Sequence, residues 1–105
     1  MHPIDGTWEI IAHRPLGNWV ILCKIKSNGD TFTGIMKDKK SNKDFEIRNG
    51  KINGHRATFD VTMKFGATNM DFNLEAEINP QNNTCRGVAT ALRMAGTFEG
   101  RKISD

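Results

Sequence analysis

Asp5-Gly6-Thr7-Trp8-Glu9-Ile10, answered near the other end by Phe98-Glu99-Gly100-Arg101-Lys102, is the pair of stretches on which the fold turns. A glycine lets the chain enter a strand through a tight turn, and an indole two residues later can plug the floor of a small barrel. As the first and last strands close, Arg101 is expected to stack on the Trp8 ring. These residues speak to architecture more than to chemistry.

Working outward from Trp8, period-two alternation recurs along almost the whole chain. It covers 7–13, 19–26, 31–37, 44–52, 57–64, 69–78, 84–92 and 97–103. Turn signals separate the runs: Pro15-Leu16-Gly17, Ser27-Asn28-Gly29-Asp30, Asn49-Gly50, Asn53-Gly54 and Pro80-Gln81-Asn82-Asn83. No amphipathic helix is legible. Short strands at a spacing of roughly 8–12 residues predict an all-β protein, and about eight of them suffice to close an antiparallel up-and-down barrel.

The alternation also assigns faces. Trp8 and Ile10 point inward and Glu9 outward. Phe59, Val61 and Met63 oppose Asp60, Thr62 and Lys64, and Met70, Phe72 and Leu74 oppose Asp71, Asn73 and Glu75. A one-residue slip would instead bury Asp60 and Asp71 as candidate bases with raised pKa values. Strand two differs, because Trp19, Ile21 and Cys23 alternate with Val20 and Leu22. Apolar residues on both faces predict cover on the outside, and a homodimer through Val20 and Leu22 is expected. Trp8-Glu9-Ile10 is echoed by Phe59-Asp60-Val61, which reads equally as two four-stranded repeats or as what any repeated hairpin produces.

Composition sets the outer limits. At 105 residues the chain makes one domain, 1–105, with room for one modest core. Hydrophobic residues at 37% and charged residues at 26% suit a globular protein rather than a disordered one. No apolar run approaches the roughly 20 residues that span a bilayer, and the N-terminus lacks a signal peptide's regions. A cytoplasmic protein without a membrane partner is expected. Lys37, Lys39, Lys40 and Lys43 cluster, yet Asp38 and Asp44 interrupt them, so nucleic acid is not expected as a partner. Cys23 and Cys85 have no metal-ligand spacing and read as two buried free thiols. The three histidines are too scattered for a metal site, and no cofactor-binding motif is present.

Up-and-down connectivity sorts the loops onto two ends. The termini and the tight polar turns near Asn28, Asn53 and Asn82 gather beside Trp8 at a closed end. The opposite end collects the turns near Leu16, Lys40, Phe65 and Met94, with apolar tips at Pro15-Leu16, Phe65-Gly66-Ala67 and Met94-Ala95. Trp19, Met36, Met63 and Met70 lie at nearby strand ends. Methionine suits irregular, adaptable apolar surfaces, so this end reads as a mouth. Arg14, Lys64 and Arg93, with His13 and Lys37, are expected to ring it with positive charge. The competing account is a filled barrel with ordinary solvated strand-end charges.

Taken together, the Gly6-x-Trp8 opening and the Gly100-Arg101 close resemble the signatures of the calycin superfamily, which includes lipocalins, fatty-acid-binding proteins and avidins. That resemblance implies an antiparallel barrel with Trp8 at its floor and Arg101 packed across it. Leu16-Gly17 followed by Gly29-x-x-Phe32-Thr33-Gly34 is similar to the first hairpins of avidins. The later strands lack the tryptophans and tyrosines of biotin pockets, and biotin is not expected. The chain is shorter than ordinary lipocalins and lacks the helical lid of fatty-acid-binding proteins. It looks more like small bacterial lipocalin-like proteins.

Two functional expectations follow. In the first, the cavity binds a small hydrophobic molecule bearing an anionic group, through Trp19, Met36, Met63, Phe65, Met70 and Met94, with Arg14 and Arg93 setting its orientation. In the second, the same cavity hosts a cofactor-independent isomerase, cyclase or lyase. There His13 moves a proton and Arg14 stabilises an enolate.

Overall fold

The computed structural model describes residues 2–14, 17–65 (Phe65 in its backbone alone), 67–92 and 94–105. Among these residues the chain forms eight strands and no helix. They are β1 (Gly6–Ala12), β2 (Trp19–Asn28), β3 (Thr31–Asp38), β4 (Asp44–Asn53), β5 (Arg56–Phe65), β6 (Thr68–Asn79), β7 (Thr84–Ala91) and β8 (Met94–Ser104). Each pairs antiparallel with its sequence neighbour, and β1 pairs with β8, so the sheet is a closed up-and-down barrel. Closure leaves no sheet edge unpaired.

The inward faces follow the predicted phase. Trp8 is 2% exposed and Val61 is fully buried, and Phe32 meets Phe59 edge-on with ring centroids 5.8 Å apart. Gly6 enters β1 at φ +128°, and a side chain there would collide with the Ser104 carbonyl. Only glycine accommodates both conditions. Cys23 and Cys85 are buried and free. Burial pushes both thiols up to about 12.

The expected partner of Trp8 is corrected by the register. Lys102, not Arg101, lies over the indole, with its Nζ 5.5 Å from the ring centroid. Trp8 and Lys102 are cross-strand partners, whereas Arg101 stands on the outer wall opposite Glu9. The reason is parity: Phe98 points inward, so Gly100 and Lys102 do too, and Arg101 must face out.

The floor has a second component that the strand reading passes over. Ile4 is buried, and its carbonyl accepts the indole hydrogen bond of Trp8 at 2.9 Å. The segment before β1 is stitched across the closed end by three further bonds. Ile4 N donates to His2 Nδ1 at 3.1 Å, His2 Nε2 meets the Gly54 carbonyl at 3.2 Å, and Ser27 N donates to the Asp5 carboxylate at 2.6 Å. Burial alone would raise the Asp5 carboxyl, but these hydrogen bonds from Ser27 and the His2 backbone outweigh it and hold it below its usual range.

The outer wall satisfies its own polar groups. Asp60 accepts from Asn73 and Asn49, both at 2.9 Å, and this pair holds its carboxyl low, helped by Arg48 and Lys51. Arg48 donates to the Thr62 hydroxyl at 2.6 Å, and Thr62 donates on to Asp71. Asp60 and Asp71 therefore face outward, and neither is a buried base. On β2, Val20 and Leu22 are half-buried within the single chain. Lys39, whose backbone N donates to the Val20 carbonyl, reaches across β2 to Glu9 at 3.6 Å. That ion pair spans the apolar outer face, so the anticipated homodimer has less bare surface to bury than the sequence suggests.

Candidate functional site

The two halves of the barrel are packed differently. Below the middle, a residual space of about 30 Å³ lies among Trp8, Cys23, Phe59, Ile78 and Cys85. It could hold one water by volume but offers no hydrogen-bonding partner, so it stays dry. Above the middle, the barrel opens into a cavity of about 440 Å³. That is the size of a small-molecule site. Ile10, Met36, Leu74 and Phe98 line both spaces, and so form the layer that separates them.

Side-chain size explains why the upper half is hollow. On β7 the inward positions are Cys85, Gly87 and Ala89, none larger than cysteine. Ala12 on β1 and Gly96 on β8 continue this thin wall at the mouth. In the lower half, glycines make room for large neighbours instead. A side chain at Gly87 would meet Phe98 Cζ at 2.6 Å, and one at Gly100 would meet Cys85 Sγ at 2.9 Å as well as the end of Ile10. At the mouth, among the described residues, no large side chain fills the space the small residues leave. A Cβ on Gly96 would find only the His13 carbonyl, 3.7 Å away.

Of the expected ligand-binding residues, Arg14, Trp19, Met36, Met63, Met70 and Met94 all line this cavity, as does His13. Arg93 and the Phe65 side chain lie outside the described residues. Ile21, Phe72, Ala89 and Thr97 complete the lining without having been singled out. The first three were available from strand phase, because each lies an even number of residues from an inward neighbour.

The expected ring of positive charge is corrected at the cavity itself, where among the described residues Arg14 is the one Lys or Arg in the lining. Lys37 faces outward and pairs with Asp44 at 3.7 Å, and Lys64 stands on the outer wall beside Phe45 and Thr62. Both lie one residue from an inward methionine, so parity turns them out. Arg14 remains at the rim. Its guanidinium carbon sits 5.2 Å from the Trp19 ring centroid, and its Nε donates to the Gly17 carbonyl at 3.4 Å. It makes no ion pair with any described carboxylate.

Trp19 is held from its other side, because its side chain hydrogen-bonds the Asp38 carboxylate. Burial would raise that carboxyl, but bonds from Ser41, the Lys40 backbone and Trp19 keep it low. His13 has a different attachment. Its Nε2 lies 3.7 Å from the Glu99 carboxylate, and its backbone N donates to Thr97 O. Glu99 belongs to the outer wall, so the ring nitrogen is turned toward the rim's outside.

A broader depression of about 970 Å³ crosses the outer wall over β6, β7, β8 and β1. Its charged residues stand opposite one another across strands, Glu77 with Arg86, Arg86 with Glu99, and Glu9 with Arg101. This is a solvated wall of alternating charge, and the enclosed apolar mouth is the better place for a ligand. Among the described residues no cluster of three or more His, Cys, Asp or Glu side chains could hold a metal ion.

Fold and site together describe a closed eight-stranded barrel with one apolar cavity at its open end, an arrangement compatible with the calycin fold. No protein-family model and no curated protein matches the chain.

Proposed function

We propose that the protein binds a small hydrophobic molecule carrying one anionic group, with the apolar body inside the mouth cavity and the anion on Arg14. The observation that carries this reading is the Arg14 guanidinium, which has no ion pair among the described residues, at the edge of a 440 Å³ cavity walled by apolar side chains. Four methionines in that wall, Met36, Met63, Met70 and Met94, give it an adaptable surface that accepts more than one shape. Stacking on Trp19 holds the guanidinium plane without using up its charge, and its remaining N–H groups fit a carboxylate, phenolate or enolate.

Native mass spectrometry of the purified protein, sprayed gently and then stripped by collisional activation, tests this reading. A released small molecule of matching mass difference, detected in negative mode, is the expected result. Apoprotein alone, together with failure to take up any of a panel of aromatic and aliphatic acids, would contradict it.

A cofactor-free isomerase, cyclase or lyase in the same cavity is the second reading, favoured by His13 at the rim. Its ring must swing from Glu99 into the cavity to move a proton there. Turnover of a candidate substrate that survives His13→Ala would exclude His13 as its acid or base.

A further inference from the structure

The tip between β7 and β8 carries two observations at Leu92 that ligand binding does not use, beside Met94, which also lines the cavity. Leu92 is 94% exposed and Met94 is 54% exposed, the two most exposed large hydrophobic residues among those described. Leu92 also sits in left-handed backbone at φ 51°. Elsewhere among the described residues this region is occupied by asparagine, at Asn42, Asn49 and Asn83, or by glycine. Those types adopt it at low cost, whereas leucine does not. At Leu92 the fold accepts both an unfavourable backbone and a bare apolar side chain.

The same end of the barrel is positive. Arg14, Lys40, Lys43 and Lys64 are exposed there and make no ion pair with described residues. Of the acids near them, Glu46 stands beside Lys43 and Lys64 without an ion pair among the described residues, and three others are engaged. Asp38 binds Ser41, Asp44 binds Lys37, and Asp71 binds Arg48 at 3.9 Å. A second copy brought mouth to mouth would oppose these cations to themselves. A protruding leucine at a hairpin tip would also need a fitted hole on a protein partner, while a fluid lipid interface needs none.

We infer that the open end docks on an anionic lipid surface, with Leu92 and Met94 entering the interface and Arg14, Lys40, Lys43 and Lys64 meeting the headgroups. This departs from the expectation, drawn from the absence of apolar runs, that a membrane is not a partner. No span is involved; the contact is peripheral. The inference stands on Leu92, Lys40, Lys43 and Lys64, which the cavity does not use, and shares Arg14 and Met94 with the proposed ligand site. Each lysine near such a surface contributes roughly a fivefold gain in binding, so a handful of cations with one or two apolar anchors gives reversible attachment.

The test is co-sedimentation of the full chain with vesicles of phosphatidylcholine alone, and with vesicles in which a third of the lipid is phosphatidylglycerol. Binding to the second and not the first is expected, falling as salt is raised. Leu92→Asn relieves the backbone, so it should fold at least as stably while binding about tenfold more weakly, as loss of one buried leucine implies. Lys40→Glu with Lys64→Glu should weaken binding by more than tenfold. Equal binding to both vesicles, binding to neither, or undiminished binding of Leu92→Asn would overturn the inference. So would a wild-type dimer that Leu92→Asn converts to monomer, since that would place a second copy on the tip.

Discussion

Arg14 lies over the face of Trp19, 5.2 Å from guanidinium carbon to ring centroid, at the edge of the one half of the barrel that is hollow. The stack fixes a cation where an apolar ligand would leave its polar end. Arg14→Ala is expected to lower affinity for an anionic hydrophobic ligand about tenfold or more, the usual loss when a charge-assisted hydrogen bond disappears. Arg14→Lys should recover part of it, because charge remains while the planar stack is lost. Isothermal titration of the three proteins checks this. Equal affinity in all three would remove Arg14 from the site.

Trp8 belongs to the floor, below the layer made by Ile10, Met36, Leu74 and Phe98. Trp8→Ala should destabilise the fold by about 3–5 kcal/mol, as loss of a buried aromatic does. Trp8→Phe, a milder change, should still fold and bind ligand at the mouth with wild-type affinity. Urea denaturation and a ligand titration measure the two effects separately. Weakened binding in a stably folded Trp8→Phe protein would mean that the two halves are not independent.

Stability should fall at both extremes of pH, for opposite reasons. Asp5, Asp38 and Asp60 have folded-state pKa values below the ordinary value of 3.8. Their contribution is therefore complete above that value and is lost as pH falls through the lower folded values. The Cys23 and Cys85 thiols titrate near 12 in the fold but near 8.5 once exposed, so stability declines as pH rises through that interval. Thermal melts from acid to alkaline pH should trace this dome. At pH 8 both thiols should resist alkylation until the protein is unfolded; rapid labelling of the native state would show that the core is open.

Much of this architecture was legible in the residues, because alternation is a strong signal where one face is buried and the other wet. Phe59-Asp60-Val61 and Met70-Asp71-Phe72 gave the phase of β5 and β6, and the turn asparagines and glycines ordered the ends. Trp19 and the methionines marked the mouth for the same reason. Three features escaped. Arg101 drew attention by its type, although counting by twos from Phe98 leads to Lys102. Lys37 and Lys64 were assigned to the rim by loop position, although their neighbours Met36 and Met63 turn them outward.

Ile4 lies outside any strand, and a lone isoleucine before a turn carries no periodicity that would announce a plug. The thin wall of Gly87 and Ala89 was present as a pattern of small residues. Whether small residues on one strand leave a cavity or admit a large side chain depends on the strand across the barrel. Gly87 admits Phe98, and Ala89 leaves space. That distinction is tertiary.

The central claim is that the open half of the barrel is a binding cavity because β7 presents only small residues to it. The most direct test is a fluorescence titration of wild type and Ala89→Phe with 1-anilinonaphthalene-8-sulfonate, an aromatic anion suited to the proposed site. Saturable one-to-one binding to wild type, lost in an Ala89→Phe protein that keeps its melting temperature, is the predicted result. Equal binding by both proteins, or no saturable binding to wild type, would contradict the account.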